Sequence, residues 1–206
     1  MEREGLGVEG LAAVRGGRLL FDELSFKVAP GGCLRVAGPN GAGKSTLLRM
    51  IAGLLAPAAG RVTRPARTAY VGHENALKLD SRLGTELLFW AGIDGASADA
   101  LATAAERFAL TPLLDLPCRL LSNGQRRRTA LARAAASCAD LWLLDEPEAG
   151  LDLASTARLA AAVAEHRAGG GIVVFVSHGT LDFGPAAEIA LDSCADATML
   201  EPGVNN

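Results

Sequence analysis

Nine residues, Gly38-Pro39-Asn40-Gly41-Ala42-Gly43-Lys44-Ser45-Thr46, leave this chain few folds to choose from. They fit the pattern G-x-x-x-x-G-K-[ST], with Gly38, Gly43, Lys44 and Ser45 in the fixed places, and the pattern requires a strand before it and a helix after it. The apolar run CLRVA (33–37) supplies the strand, and STLLRMIAGLL supplies the helix, with Gly53 as its stop. Each residue type has a physical reason. Glycines let the backbone curl so that successive N–H groups point at phosphate oxygens, and the helix start adds the positive end of its dipole. Lysine is the informative choice, because of the 20 Lys and Arg residues only Lys27, Lys44 and Lys78 are lysine. A compact ammonium fits between two phosphates where a planar fork does not. Ser45 offers a hydroxyl to magnesium, and Thr46 a second hydroxyl near the phosphates.

A chain of 206 residues can bury one sizeable core, with room for a smaller lobe. Half of the residues are hydrophobic, yet no window reaches the ~18 uninterrupted apolar residues of a spanning helix; ALARAAASCADLWLLDE is broken by Arg133 and Asp140. MEREGLG has no apolar h-region, so export is not expected. Cys33, Cys118, Cys138 and Cys194 form no close pair and read as free thiols in a reducing cytosol. The net charge of −3 argues against a nucleic-acid partner held by bulk charge.

Along the chain, 6–14 and 19–29 read as strands joined at Arg15-Gly16-Gly17, an antiparallel entry to a parallel core. RVTR and TAYVG (61–72) add two short strands. From about 74 to 136 the period becomes helical: TELLFWAG, SADALATAAERFAL and GQRRRTALARAAAS are punctuated by Gly92, Gly95, Pro112 and Pro117. At least two of Arg126, Arg127 and Arg128 read as a solvated helix face. LWLLDEP (141–147) follows, an apolar run suited to a central parallel strand. It delivers Asp145 and Glu146 to the C-terminal end of the sheet, where ligands sit in open α/β folds. Neighbours on a strand point to opposite faces, so their tasks differ: Asp145 is suited to holding magnesium beside Ser45, Glu146 to deprotonating an attacking water. A helix over 153–168 with Asp152 as N-cap precedes a buried strand, IVVFV (172–176), that ends at Ser177-His178, where His178 can reach a γ-phosphate. The tail EIALDSCADATMLEPG adds one or two edge strands.

The order GPNGAGKST, LSNGQ (121–125), LLDEP, AGLD (149–152) and VSH resembles that of the ATP-binding cassette (ABC) ATPases over nearly the whole chain. The resemblance implies a P-loop NTPase fold of the ABC type: one domain over 1–206, with a mostly parallel α/β core, antiparallel N-terminal strands and a helical subdomain at about 74–136 inserted in a RecA-like core. It implies ATP and Mg2+ as cofactors. It also implies a head-to-tail dimer with a second copy, in which Ser122, Gly124 and Gln125 at a helix start close over the other copy's ATP. Two places depart from the common pattern. Arg15 stands where many cassettes stack an aromatic residue on adenine, and a guanidinium can stack on a base face as well. His73 stands where a magnesium-contacting glutamine is usual; neutral imidazole can take that place directly or through water.

VGHENALKLDSRLGTELLFWAG, the arginine before the second strand and LSNGQRRRTALARA further resemble the ATP-binding subunits of the haem exporter of bacterial cytochrome c maturation. That likeness implies a peripheral protein on the cytoplasmic face of the inner membrane, working beneath multipass membrane subunits that serve haem delivery, with no nucleic-acid partner. An ABC subunit of another importer or exporter, and a soluble ABC ATPase outside transport, are the alternatives. In the implied cycle ATP binds Gly38 to Thr46, a second chain closes through Ser122 to Gln125, Ser45 and Asp145 hold magnesium, Glu146 activates water and His178 steadies the γ-phosphate. Hydrolysis loosens the dimer, and the segment from His73 to Trp90 passes the motion to the membrane partner.

Overall fold

The computed structural model describes residues 4–177, 179 and 181–192. Leu6–Arg15 (β1) and Arg18–Val28 (β2) form an antiparallel hairpin through the Gly16-Gly17 turn, and Ala59–Thr63 (β4) pairs with the other edge of β1. The resulting three-stranded sheet has the order β2-β1-β4. Cys33–Ala37 (β3), Thr68–Val71 (β5), Leu141–Asp145 (β6), Ile172–Val176 (β7) and Ala187–Ala190 (β8) build a second sheet in the order β5-β6-β7-β3-β8. Every pairing in it is parallel. The tail's edge strand is thus β8, beside β3; Cys194 and the tail beyond Asp192 lie outside the described residues.

β6 and β7 are buried along their whole length, as a strand covered on both faces must be. Alternation divides their side chains between two cores. Leu141, Leu143, Ile172, Val174 and Val176 pack with Leu47, Leu48, Met50 and Ile51 of Lys44–Ala52 (α1) and with Leu6, Val8, Leu11 and Phe21 of the antiparallel sheet. Trp142, Leu144, Val173 and Phe175 face the other way, toward Leu131 and Ala132 of Asn123–Ala136 (α4) and Leu159 and Val163 of Leu153–Ala168 (α5). Each such aliphatic side chain taken from water contributes ~1.5–3 kcal/mol, so the parallel sheet is the rigid plate from which the loops at its end project.

Between β5 and β6 the chain is helical: Leu83–Asp94 (α2), Ala98–Arg107 (α3), two short 3-10 turns and α4. Ser97 caps α3 by accepting from the Ala100 amide at 3.1 Å. α2 buries Leu83, Leu87 and Ala91 on one face and leaves Leu88, Phe89 and Ile93 about 60 % exposed on the other (62, 58 and 60 %). No helix among the described residues is long and apolar enough to cross a membrane.

The solvated-face reading of the three arginines is corrected here. Arg127 is 3 % exposed, Arg128 donates to the carbonyls of Phe108 and Ala109 at 2.9 and 3.1 Å, and Arg126 donates to that of Arg119 at 3.1 Å. The cause is tertiary: α4 packs against α2, α3, β5 and α5, which leaves it little solvent-facing surface.

Candidate active site

The loop from Gly38 to Gly43 connects β3 to α1, and its backbone is left-handed at three glycines, 38, 41 and 43. At Gly38 (φ +138°) no other residue fits, because a Cβ there would lie 2.3 Å from the Leu191 carbonyl oxygen. Gly43 is the N-cap of α1 and supplies no side-chain cap, so the first N–H groups of a helix whose opening turn buries Lys44 and Thr46 receive none of the usual side-chain acceptors. An uncapped helix start of this kind is an anion site. The Lys44 ammonium donates to the carbonyls of Gly38 and Pro39 at 2.7 and 2.9 Å, which holds it over the loop with one further N–H. Ala42 is buried and donates to the Pro39 carbonyl, closing the turn at Pro39 and Asn40.

Arg15, Leu20, Asn40, Gly41, Gly43, Lys44, Ser45, Thr46 and Glu146 line one cavity of about 440 Å³, within the range of small-ligand pockets. Arg15 at the end of β1 and Leu20 on β2 form its outer wall, so the antiparallel hairpin reaches the phosphate loop. Leu20 was not foreseen; an apolar side chain three residues past a hairpin glycine carries no separate signal in the sequence.

Asp145 closes β6 and is 2 % exposed. Its Oδ1 accepts from the Ser45 hydroxyl at 3.1 Å, and its Oδ2 faces the hydroxyl of Tyr70 at 3.5 Å. Tyr70, the chain's one tyrosine, also hydrogen-bonds Arg49 on α1. That bond is the main cause raising the Arg49 pKa, while burial is the main cause raising that of the Tyr70 phenol. Arg49, Tyr70, Asp145 and Ser45 thus form one chain of polar contacts. Two hard oxygen donors on opposed elements suit magnesium, which takes few protein ligands and keeps water and phosphate oxygens for the rest. Among the described residues there is no cluster of three or more His, Cys, Asp and Glu for another kind of metal site.

Glu146 differs from the strand-neighbour picture. β6 ends at Asp145, and Glu146 takes a left-handed backbone, φ +49°, with its amide donating to the Val176 carbonyl at 3.0 Å. Its divergence from Asp145 is therefore set by a backbone turn, and it brings Glu146 to the cavity of Lys44. Arg127 of α4 secures that turn. Its guanidinium donates to the carbonyls of Gly72, Glu146 and Pro147 at 2.5, 2.6 and 3.3 Å, and also to that of Asp145. Burial lowers its pKa, and the Asp145, Glu148 and Glu146 carboxylates oppose that. The sequence signal for Arg127 was helical register alone, and both neighbours carry the same residue.

The other expected residues lie apart from this cavity. Ser122 and Gln125 form a capping box at the start of α4: the Gln125 amide donates to the Ser122 hydroxyl at 3.2 Å, and the Ser122 amide to the Gln125 side chain at 2.8 Å. Gly124 abuts the loop after β6, where a Cβ would fall 2.6 Å from the Gly150 carbonyl oxygen. Exposed His73 lines a second cavity of about 360 Å³ with Arg49, Tyr70, Glu74 and Arg133. His178 lies outside the described residues.

The profile of the ABC transporter family matches residues 21–149, which include the phosphate loop, Ser122 to Gln125, and Asp145 with Glu146. The chain belongs to the ABC transporter family. It is an ATP-binding cassette and an ATPase. The cytochrome c biogenesis ATP-binding export protein CcmA of Sphingopyxis alaskensis is 51% identical over 173 residues, covering 84% of this chain and 89% of its own length. That of Rhodospirillum rubrum is 46% identical over 199 residues, covering 91% and 85%. Within the family the cassette therefore belongs with the CcmA proteins. A solved ATP-binding subunit of an ABC transporter, 24% identical, superposes with a TM-score of 0.74 over 85% of this chain and 80% of its own, which shows the shared fold.

Proposed function

We propose that this cassette is the ATP-hydrolysing subunit of a membrane complex of cytochrome c biogenesis, in which two cassettes couple Mg-ATP hydrolysis to movement of membrane subunits that serve haem delivery. The observation that carries the chemistry is the convergence of Lys44, the uncapped start of α1, Ser45 and Glu146 on one cavity, with buried Asp145 hydrogen-bonded to Ser45. The names of the similar proteins support the pathway.

In this reading residues 1–206 form one domain, with a helical subdomain at about 74–136. Gly38 to Thr46 hold the phosphates, with Pro39, Asn40, Gly41 and Ala42 shaping the loop, and Arg15 stacks on the adenine above Leu20. Ser45 and Asp145 hold Mg2+, and His73 approaches it through water. The metal, when bound, neutralises charge on the transferred phosphate. Glu146 takes the proton of a water whose oxygen attacks the γ-phosphorus. The bond from that phosphorus to the bridging oxygen breaks, and ADP and phosphate leave. Lys44 and His178 stabilise the charge on the phosphate oxygens. Ser122, Gly124 and Gln125 present the α4 start to the ATP of a second copy. The exposed Leu88, Phe89 and Ile93 of α2, beside the cavity of His73, suit a seat for a membrane subunit. The cassette sits peripherally on the cytoplasmic face of the inner membrane.

The test is complementation. The gene is deleted in its host and restored as wild type or Glu146→Gln, and covalent haem on c-type cytochromes is assayed. Rescue by wild type alone is expected. Normal cytochromes without the cassette would overturn the pathway, and rescue by Glu146→Gln would overturn the base.

A further inference from the structure

Arg127 is a buried cation that has no carboxylate as a hydrogen-bond acceptor among the described residues. Its planar head instead faces carbonyls from two separate loops: Gly72 at the end of β5, and Asp145, Glu146 and Pro147 at the end of β6. Only a guanidinium has five N–H donors in a fixed fork, so no other side chain can address four carbonyls spread over two loops. Burying it lowers its pKa, so the arrangement carries a desolvation cost that must be offset by what it holds in place.

What it holds is the unusual backbone at Glu146. A non-glycine residue at φ +49° is strained and persists only where the surroundings over-determine it. The Glu146 carbonyl has two donors, Arg127 at 2.6 Å and the Ala149 amide at 3.1 Å, while its own amide is tied to Val176. Release of Arg127 takes a donor from the Glu146 carbonyl and another from that of Pro147. Relaxation of φ toward the ordinary right-handed or extended region swings the carboxylate away from Lys44.

We infer that Arg127 is a positioning residue for ATP hydrolysis: it acts through the Glu146 backbone to set the carboxylate against the attacking water, and it makes no hydrogen bond to the phosphate loop. The inference rests on the reading of Glu146 as the base. None of the cavity-lining residues at 38–46 is bonded to Arg127, whereas the carbonyls of Asp145, which ends β6, and of Glu146, which follows it, are. The effect therefore falls on turnover. A displacement of ~1 Å at a reacting group costs on the order of 100-fold in rate.

The experiment compares Arg127→Lys with Arg128→Lys in the full chain. Arg128 is a suitable control because it lies on the same helix and also bonds two carbonyls, but those of Phe108 and Ala109, away from the acidic turn. Turnover, KM for ATP, affinity for a fluorescent ATP analogue and melting temperature are measured. Arg127→Lys is expected to lower kcat by roughly 10- to 100-fold while KM and analogue affinity stay within about twofold. Arg128→Lys is expected to shift the melting temperature alone. Arg127→Lys combined with Glu146→Gln is expected to be no slower than Glu146→Gln by itself, since both act on one group. Should Arg127→Lys fail to fold, Arg127→Gln, which removes the buried charge and keeps two donors, is measured in its place. An unchanged kcat, a loss shared equally by Arg128→Lys, or a further multiplicative loss in the double variant would each overturn the inference. Wild-type turnover by Glu146→Gln would instead overturn the reading of the base, whichever result Arg127→Lys gives.

Discussion

Cys33 shows how a single position can turn against the chemistry its residue type suggests. It opens β3 with its side chain in the α5-side core, and burial pushes its thiol up to about 11 from 9.0, against the opposing pull of Arg167. A group whose folded pKa is raised contributes stability that is complete below its unfolded pKa and is lost as pH rises through the folded one. Stability should therefore fall between pH 9 and 11, by more in wild type than in Cys33→Ala, in urea titrations at pH 8, 9.5 and 10.5. Equal slopes would remove Cys33 as the cause. The reading of free thiols holds for Cys33, Cys118 and Cys138. At the same scale Arg127 and Tyr70 went unread as site residues. Their partners are backbone carbonyls and an acid 75 residues away, and nothing in a linear pattern marks such partners.

At the scale of elements, the strands that carry the site were legible because their chemistry is local. A four-residue apolar run followed by two acids can be a strand covered on both faces, and β6, which takes in the first acid, is one. α4 was legible as a helix from its period, but its cap was not read, although Ser122 with Gln125 three residues on is the capping-box spacing. Ser122→Ala should destabilise the chain by ~1 kcal/mol, with Ser122→Asp close to wild type, as read from urea midpoints. No change in Ser122→Ala would mean that packing against α2, α3 and β5 alone holds the helix start. What α4 buries was not legible, because an Arg-rich face and a buried face follow the same 3.6-residue period. α2 shows the same limit from the other side. Its two apolar faces look alike in sequence, yet one is core and the other open.

For the whole molecule, the start of α4 and the cavity of Lys44 are separate features of one chain, and Ser122, Gly124 and Gln125 are absent from that cavity's lining. A shared site then needs a second copy. Glu146→Gln, which retains nucleotide, should elute as a monomer alone and as a dimer with Mg-ATP in size-exclusion chromatography with light scattering. A monomer under both conditions would sink the shared site.

The sequence by itself determined the phosphate loop, the acidic strand end, the capped helix and the parallel core, because each rests on contacts within a few residues or on a repeating period. Only the tertiary structure decided which pieces meet. It put Leu20 of the hairpin beside Lys44, joined Asp145 to Tyr70, set His73 on a neighbouring cavity and drew Arg127 under Glu146. These meetings depend on how layers pack, and on where a buried polar head finds acceptors far away in the chain.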